Sequence, residues 1–436
     1  MARKRAYAPL DVLLNGRLVG KLSREASGAI EFRYDENWLA WAHAIPASLS
    51  LPLREERYVG APVVAVFDNL LPDNENIRRQ IAGRVRAPGS DAFSLLSAIG
   101  RDCVGALQFI AEGETIGPTG AVDGEVLSDT QIAAIVKNLA QSPLGLGEDA
   151  EFRISIAGAQ EKTALLRKDG AWLRPHGVTA TTHILKPQIG MTAGLDLRQS
   201  VENEYFCLEI LRALGLPAAE SEIVDFEDVR VLSITRFDRQ WAEDGRLLRV
   251  PQEDFCQALS VPSALKYEAD GGPGIPAILR ELQASDDPQT DQVLFLKTQF
   301  AYWLLGATDG HAKNFSVFLA PGGRFQLTPF YDVMSAQPNV DARQIPWNKY
   351  KLAMAAGHQR RYQVNRIGAR HLIETAEAAG IDNQRAAKAW EEIAAALPRA
   401  LDAAREKLPP DFPEPLADSI RAGALKRLHA QDTPSD

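Results

Sequence analysis

Hydrophobic and polar positions alternate in short bursts over residues 7–35, and glycines interrupt the bursts. Such alternation is typical of strands with one buried face, and Asn15-Gly16 between two apolar runs predicts a tight hairpin. Helical spacing of apolar residues and a closing strand come next, within 63–113. The pattern therefore predicts a first α+β unit over 1–125. Within it, "FDNLLPDN" is a surface loop or part of an interface, and we favour the loop.

The second part of the chain, 126–252, begins with a polar segment and then becomes rich in predicted strands. The predicted strands are 152–156, 162–167, 171–174 and one that ends near Lys186. A helix is predicted at 200–214. From 253 to 436 the spacing of apolar residues is helical almost throughout, apart from one hairpin. The pattern thus predicts an α+β fold in three parts, with an extra N-terminal subdomain and a helical C-terminal domain.

The C-terminal hairpin brings distant polar residues together. The apolar strands 315–319 and 325–330 flank a turn that contains Pro-Gly-Gly, and a polar loop, 308–314, precedes the first strand. Antiparallel strands rise about equally per residue, so the residue before the first strand lies beside the residues just after the second strand. Asn314 and Asp332 are therefore predicted to be neighbours.

Asp309 in the polar loop is predicted to face the same spot. A cluster of two carboxylates and an amide suits a hard cation, because Mg²⁺ prefers oxygen ligands. Kinases place an Asn five residues after the catalytic Asp and a metal-binding Asp farther on. Asp309 would orient the acceptor hydroxyl, Asn314 and Asp332 would hold Mg²⁺, and His311 or Lys313 would lie near the γ-phosphate. The alternative is that Asp and Asn are here only as turn formers.

A loop of small residues upstream is a candidate phosphate-binding loop. It lies between two predicted strands at 157–161, and its backbone N–H groups would cradle phosphate oxygens. Gly158 is its one glycine, so the G-x-G-x-x-G pattern is absent. Lys186 would bridge the α- and β-phosphates; the alternative is an ordinary edge-strand lysine.

Two further kinase features are predicted nearby. Glu204, or else Glu202, near the start of the helix at 200–214 would pair with Lys186, although acidic residues also stabilise a first helical turn by themselves. The strand before "RFDR" would lead into a hinge whose backbone contacts adenine. The hinge residues are Thr235, Arg236 and Phe237.

Composition sets limits on partners and compartment. The chain has 48 basic and 57 acidic residues, a net charge of −9, so an extensive DNA-binding surface is not expected. The three cysteines have no disulfide or zinc spacing. The basic start lacks the apolar run of a signal peptide, and no run approaches the ~20 apolar residues of a membrane helix. A cytoplasmic protein without membrane contact is expected.

Several motifs in one order resemble the HipA family, the toxin kinases of bacterial HipA–HipB toxin–antitoxin modules. The motifs are "FDNLLPDN", "IGRDCVGALQF", "FRISIAGAQEKTALL", "THILK", "VENEY", "RFDR", "PQEDFCQALS", "KYEADGGPGI", "GATDGHAKNFSVF" and "LTPFYDV". The resemblance implies a two-lobed, protein-kinase-like fold and an ATP- and Mg²⁺-dependent serine/threonine kinase. Asp309 would be the catalytic aspartate and Ser155 the autophosphorylated serine. The residues implied to bind ATP are Ile156, Ala157, Gly158, Ala159, Gln160, Glu161, Lys186, Thr235, Arg236, Phe237, His311, Ala312, Lys313, Asn314, Tyr331 and Asp332.

The resemblance also implies a biology. A phosphate on Ser155 adds nearly two negative charges beside the phosphate loop, which would repel nucleotide and silence the enzyme. The implied target is a translation protein, glutamyl-tRNA synthetase, with growth arrest and persistence as the outcome. The implied partners are a HipB-like antitoxin and, through it, operator DNA. The segment after Asp332 lacks the glycine of D-F-G, which puts target recognition there in doubt.

Two other functions remain open. The first is a catalytically silent scaffold in an antitoxin–operator complex; the presence of Asp309, Asn314, Asp332 and Lys186 argues against it. The second is a small-molecule kinase, which a closed pocket in place of an open cleft would support. A basic cluster, "HQRRYQVNRIGARH" at 358–371, is a solvated helix face or a DNA contact, and we favour the solvated face.

Overall fold

The computed structural model describes residues 7–114, 116–146, 154–158 and 160–431. The strands are β1 Leu10–Leu14, β2 Arg17–Arg24, β3 Ile30–Tyr34, β4 Tyr58–Val59, β5 Leu107–Ala111, β6 Gly124–Val126, β7 Thr163–Lys168, β8 Ala171–Pro175, β9 His183–Pro187, β10 Gly190–Thr192, β11 Leu195–Leu197, β12 Ser221–Phe226, β13 Val229–Thr235, β14 Arg239–Trp241, β15 Leu247–Arg249, β16 Gln252–Asp254, β17 Ser316–Ala320, β18 Arg324–Leu327, β19 Lys351–Ala356 and β20 Arg361–Gln363. The α-helices are α1 Glu36–Leu39, α2 Ala61–Asp68, α3 Glu75–Arg84, α4 Ala92–Ile99, α5 Asp129–Lys137, α6 Ser200–Ala213, α7 Phe255–Ala258, α8 Ile275–Glu281, α9 Pro288–Leu305, α10 Gln337–Asp341, α11 Ala369–Ala378, α12 Asn383–Arg405 and α13 Glu414–His429.

The chain forms two compact units, and each draws on several stretches of sequence. The first comprises Met1–Pro187, Val224–Ala264 and Val317–Phe325, and the second comprises Gln188–Ile223, Leu265–Ser316 and Gln326–Asp436. Strands dominate the first unit and helices the second, so the predicted α+β class is confirmed.

A five-stranded antiparallel sheet, in the order β4-β3-β2-β1-β5, forms the start of the first unit. Its first hairpin turns at Asn15-Gly16, where both residues have positive φ, as predicted from the sequence. Helices α2 and α4 pack on this sheet. Phe67 of α2 lies edge-on between Phe32 and Phe109, and all three rings are buried.

A six-stranded sheet follows, in the order β12-β13-β9-β7-β8-β6. Helix α5 begins with a capping box at Ser128 and buries Ile132 and Val136 against this sheet. The predicted strand at 152–156 is not found in its described part: 154–156 forms no ladder, and the Ser155 amide donates to the Asp102 carbonyl outside any sheet. Residues 152 and 153 lie outside the described residues.

The second unit is built around helix α9, which packs against α12 and α13. Residues 253–431 are largely helical, as predicted, but they also contain the hairpin β19–β20, which the apolar spacing did not predict. That hairpin carries part of the basic cluster at 358–371, so the predicted helix face there is wrong for residues 361–363. No helix within the described ranges is long and apolar enough to cross a membrane.

Candidate active site

Helix α9 delivers the predicted catalytic loop. The helix starts where the Asp287 side chain accepts from the Thr290 amide, and Pro288 occupies its first turn. It stops at Gly306, which has φ +66°. A Cβ on Gly306 would lie 1.7 Å from the Tyr350 hydroxyl oxygen, so only glycine fits. The chain therefore leaves the helix core abruptly and enters the polar loop that contains Asp309.

The Asp309 carboxylate is exposed but oriented. Its side chain is 59% exposed. The Tyr267 hydroxyl donates to Asp309 Oδ1 at 2.6 Å, and His311 Nε2 lies 4.0 Å from Oδ2. The Tyr267 ring in turn packs edge-on against the His311 ring, with centroids 4.9 Å apart. An accessible carboxylate held in one orientation is what a base that positions an acceptor hydroxyl requires.

Asn314 closes the loop from its other end. Its Nδ2 donates to the Asp309 carbonyl at 2.8 Å, and the His311 amide donates to the same oxygen. Because the amide nitrogen is engaged there, the amide oxygen of Asn314 is the end that can bind a cation. The side chain is buried, so its rotamer is fixed by packing as well as by this bond.

The segment that follows β18 reaches the same place. The Tyr331 hydroxyl donates to the Lys313 carbonyl at 2.9 Å and lies 2.6 Å from Ser316 Oγ. Asn314 and Asp332 each come directly after one of these contacting residues in the sequence, and their own proximity stays a prediction. Asp332 itself has φ +60°, a strained conformation for a residue other than glycine. Such strain is found preferentially at functional sites.

The donor set fits Mg²⁺ bound together with phosphates. Within the described ranges, no group of three or more His, Cys, Asp or Glu residues is arranged to hold a metal ion alone. Mg²⁺ in phosphotransfer sites needs only one or two protein carboxylates, because phosphates and water complete its octahedron. Asn314 and Asp332 offer two hard oxygen ligands, which matches that requirement.

The candidate phosphate loop packs against "FDNLLPDN" in the first unit. Ser155 is fully buried, and its hydroxyl donates to the Leu70 carbonyl at 2.7 Å. The Asp73 amide donates to the Gly158 carbonyl at 3.2 Å. "FDNLLPDN" is thus mostly buried and braces the loop, so the interpretation as a surface loop is wrong.

The remaining residues of the candidate phosphate loop differ in which of their groups are already engaged within the protein. Ile156 is buried in the hydrophobic core, which leaves its backbone for any nucleotide contact. The Ala157 carbonyl accepts from Lys162 Nζ at 3.0 Å, and Gln160 Nε2 donates to the Pro187 carbonyl at 3.2 Å. Glu161 is exposed, and Ala159 lies outside the described residues.

The predicted lysine and its predicted partner are both buried. Lys186 lies on β9 of the first unit, opposite Leu232 of β13, and is 5% exposed. Glu204 lies on α6 of the second unit and is 1% exposed. Glu202, the alternative partner, accepts from Gln188 Nε2 at 2.6 Å. The pairing of Lys186 with Glu204 stays a prediction.

The predicted hinge contains a residue with a structural role. The Arg236 guanidinium forms a fork with Asp238 at 2.9 and 2.7 Å, and its Nη1 donates to Thr181 Oγ1. The Arg236 amide donates to the Thr182 carbonyl at 2.8 Å. The Arg236 side chain and its backbone amide are thus engaged within the first unit, and a contact of this residue with adenine stays a prediction. Thr235 ends β13 beside His183, and Phe237 packs edge-on against Phe318.

Asp102 of "IGRDC" anchors this hinge residue in a buried ionic network. Its Oδ1 accepts from Arg239 at 2.8 Å and from Arg249 at 2.9 Å, and its Oδ2 lies 3.5 Å from Arg236. Burial disfavours the charged carboxylate, but the three arginines outweigh it and hold the pKa of Asp102 well below its usual value. Burial, together with Arg236, lowers the pKa of Arg239 to about 10.

Sequence reasoning missed Tyr267, Asp102 and the bracing role of "FDNLLPDN". All three belong to motifs that carry the resemblance, but the contacts that give them roles are long-range. Tyr267 is 42 residues from Asp309 and Leu70 is 85 residues from Ser155. No local pattern encodes such pairs.

Comparison with known proteins identifies related chains. Residues 10–110 match the HipA N-terminal domain, and residues 154–401 match the HipA-like C-terminal domain. A candidate kinase of Sinorhizobium fredii, Y4mE, is 35% identical over 342 residues, which cover 77% of this chain and 79% of that protein. The serine/threonine-protein kinase toxin HipA of Shewanella oneidensis is 26% identical over 419 residues, 92% of this chain and 90% of that one. The solved structure of the Shewanella oneidensis HipA, HipB and operator DNA complex contains a chain that matches with a TM-score of 0.81 at 24% identity, over 98% of this chain and 100% of that chain.

Proposed function

The chain belongs to the HipA family, and from this premise we propose that it is an ATP- and Mg²⁺-dependent serine/threonine protein kinase, the toxin of a toxin–antitoxin pair. The observation that carries the proposal is the loop at 307–314. It presents an exposed, oriented Asp309 carboxylate, with Asn314 bonded to its backbone and the strained Asp332 at the end of the adjoining hairpin. The finer fold prediction, two kinase-like lobes, and the boundaries at 125 and 252 belong to this proposal.

In the proposed reaction, ATP donates its γ-phosphoryl group, and a bound Mg²⁺ would supply partial neutralisation of the phosphate charge. Asp309 orients the acceptor hydroxyl and takes its proton as the hydroxyl oxygen bonds to the γ-phosphorus. The bond from the γ-phosphorus to the β–γ bridging oxygen breaks, and ADP leaves with that electron pair. Asn314 and Asp332 would hold the metal, and Lys186 would hold the α- and β-phosphates, with Glu204 as its partner.

Regulation and biology form the second half of the proposal. Autophosphorylation of Ser155 would silence the enzyme, and the buried hydroxyl bonded to the Leu70 carbonyl means that the loop must open first. The proposed target is glutamyl-tRNA synthetase, with growth arrest and persistence as the result. A HipB-like antitoxin is the proposed partner, through which the chain would reach operator DNA; the related HipA solved with HipB and operator supports this.

The test compares wild type, Asp309→Asn and the exposed control Asp129→Asn, each incubated with Mg²⁺–ATP and with purified glutamyl-tRNA synthetase. Intact mass and peptide mapping should find about one phosphate at Ser155 in wild type and control and none in Asp309→Asn. The synthetase should gain phosphate from the same two proteins. A wild type that binds ATP but transfers no phosphate would contradict the kinase proposal and favour the silent scaffold.

A further inference from the structure

A cleft of about 820 Å³ opens beside Asp309 in the second unit. Strand β11 with the residues after it forms one wall, and the segment 334–345 after Asp332 forms the other. Thr308 and Asp309 also line it. Its volume lies within the range of roughly 300–1,000 Å³ typical of ligand sites. The nucleotide residues proposed above are not among its lining residues, apart from the shared Asp309.

The two walls are tied to each other by hydrogen bonds. The Asp196 amide donates to Gln344 Oε1 at 2.9 Å, and Asn339 Nδ2 donates to the Asp196 carbonyl at 3.0 Å. Two other lining residues, Asn203 and Ser335, exchange two bonds of 2.8 Å each. These hydrogen bonds fix the positions of both walls, so a bound segment need not order them.

The charges of the cleft are few and mostly compensated. Arg198 forms a fork with Asp196, with Nε and Nη2 at 2.9 and 2.6 Å from the two carboxylate oxygens. The hydrogen bond to Arg198 lowers the pKa of Asp196 to about 2, so the pair stays ionised and mutually neutral. Asp309 is the remaining charge among the described lining residues. The apolar members are Leu195, Leu197, Met334, Pro338, Ile345 and Leu416.

We propose that this cleft binds the acceptor segment of a protein substrate, with apolar or neutral side chains flanking the serine or threonine. The proposal rests on the kinase function proposed above. The exposed Asp309 on the cleft lining would meet the acceptor hydroxyl, while the apolar lining residues contact the flanking side chains. Acidic flanks are disfavoured, because they would bring like charge to Asp309 without a spare cation on the lining.

The test uses a peptide library with one fixed serine in which each flanking position in turn is Leu, Lys or Glu. Wild-type enzyme with Mg²⁺–ATP should phosphorylate the Leu peptides best and the Glu peptides about tenfold less efficiently, which corresponds to a ten-to-one ratio of kcat/KM. Ala342→Trp places an indole on the exposed cleft rim and should raise the peptide KM about tenfold. Ala395→Trp, on an exposed position of α12, should leave the peptide KM unchanged. Melting temperatures and ATP affinity check that both variants fold.

The outcomes separate the two proposals. If Ala342→Trp phosphorylates Ser155 and its peptide KM is unchanged, the cleft proposal is overturned and the kinase proposal stands. Wild type that modifies Ser155 but no library peptide, or only a small-molecule hydroxyl, would also overturn the cleft proposal. A wild type that transfers phosphate to nothing would overturn the kinase function itself, and the cleft proposal with it.

Discussion

At the scale of single residues, the hydroxyl of Tyr267 has the clearest consequence for catalysis. Tyr267→Phe keeps the ring packed on His311 but removes the donor to Asp309 Oδ1. A hydrogen bond to a charged group is worth about 1.5–3 kcal/mol, so a carboxylate free to rotate should lower kcat about tenfold or more. The KM for ATP should stay unchanged, because Tyr267 orients the base and does not hold nucleotide.

Steady-state kinetics with a separate substrate, rather than the enzyme's own Ser155, measures kcat and the KM for ATP. Tyr362→Phe is the matched control, because it also removes a tyrosine hydroxyl in the second unit. An unchanged kcat would show that the Tyr267 hydroxyl does not orient Asp309 for catalysis. A higher kcat would mean that the Tyr267 hydroxyl competes with the acceptor for Asp309.

Asp102 has a consequence for stability. Asp102→Asn leaves Arg236, Arg239 and Arg249 buried with Asp238 as their nearest acid, and breaking a buried pair costs about 3–5 kcal/mol. The pKa of Asp102 is lower in the folded than in the unfolded chain, so its stabilisation is complete above the ordinary value of 3.8 and is lost only as the pH falls below it.

Urea unfolding at pH 7 should therefore show a large decrease in the free energy of unfolding for Asp102→Asn and almost no decrease for the exposed Asp129→Asn. Between pH 7 and pH 5, the wild-type contribution of Asp102 should not change. Equal midpoints for the two variants would show that the network does not hold this part of the fold.

At the scale of elements, the phosphate loop is a segment that packs around one buried hydroxyl, that of Ser155. Ser155→Asp would set a carboxylate against the Leu70 carbonyl oxygen, which accepts but cannot donate a hydrogen bond, and burying a charge there costs several kcal/mol. We expect the loop at 154–158 to open and ATP binding to weaken. Ser155→Ala should cost only about 1 kcal/mol and keep the loop closed.

Hydrogen exchange of the backbone amide at position 155, which donates to the Asp102 carbonyl, reports the opening directly. The wild type and Ser155→Ala should show slow exchange at this amide, and Ser155→Asp should show fast exchange. Slow exchange in all three proteins would mean that charge at this position does not move the loop.

The secondary-structure elements also show how much of the fold could be predicted from the sequence. The hairpin that begins after Asn314 could be predicted because Pro-Gly-Gly turn chemistry is local, and the helical character of 253–436 because apolar residues recur there at helical spacing. Strand β19, Lys351–Ala356, contains mostly helix-forming residues, yet it is almost entirely buried and pairs with β20, so packing overrides local propensity. Tyr267 could not be assigned a role because its partner lies 42 residues away, and only tertiary packing brings the two together.

At the scale of the whole molecule, the net charge of −9 bears on how the chain reaches operator DNA. Lys and Arg contacts to phosphate release counterions, and each adds about −0.9 to the slope of log K against log salt. A chain with this charge balance should not bind operator DNA by itself at physiological salt. With a HipB-like antitoxin, the slope should stay within about one unit of that of the antitoxin alone.

Fluorescence anisotropy of labelled operator DNA over a salt series measures the slopes for antitoxin, chain and complex. A complex whose slope is steeper by several units would show that this chain contacts DNA, and the basic cluster at 358–371 would be the first place to look. Arg366→Glu should then restore the shallower slope, while Arg399→Glu, on an exposed position of α12, should not. If neither variant changes a shallow slope, the DNA contacts belong to the antitoxin, and the acidic chain adds to the complex through protein contacts alone.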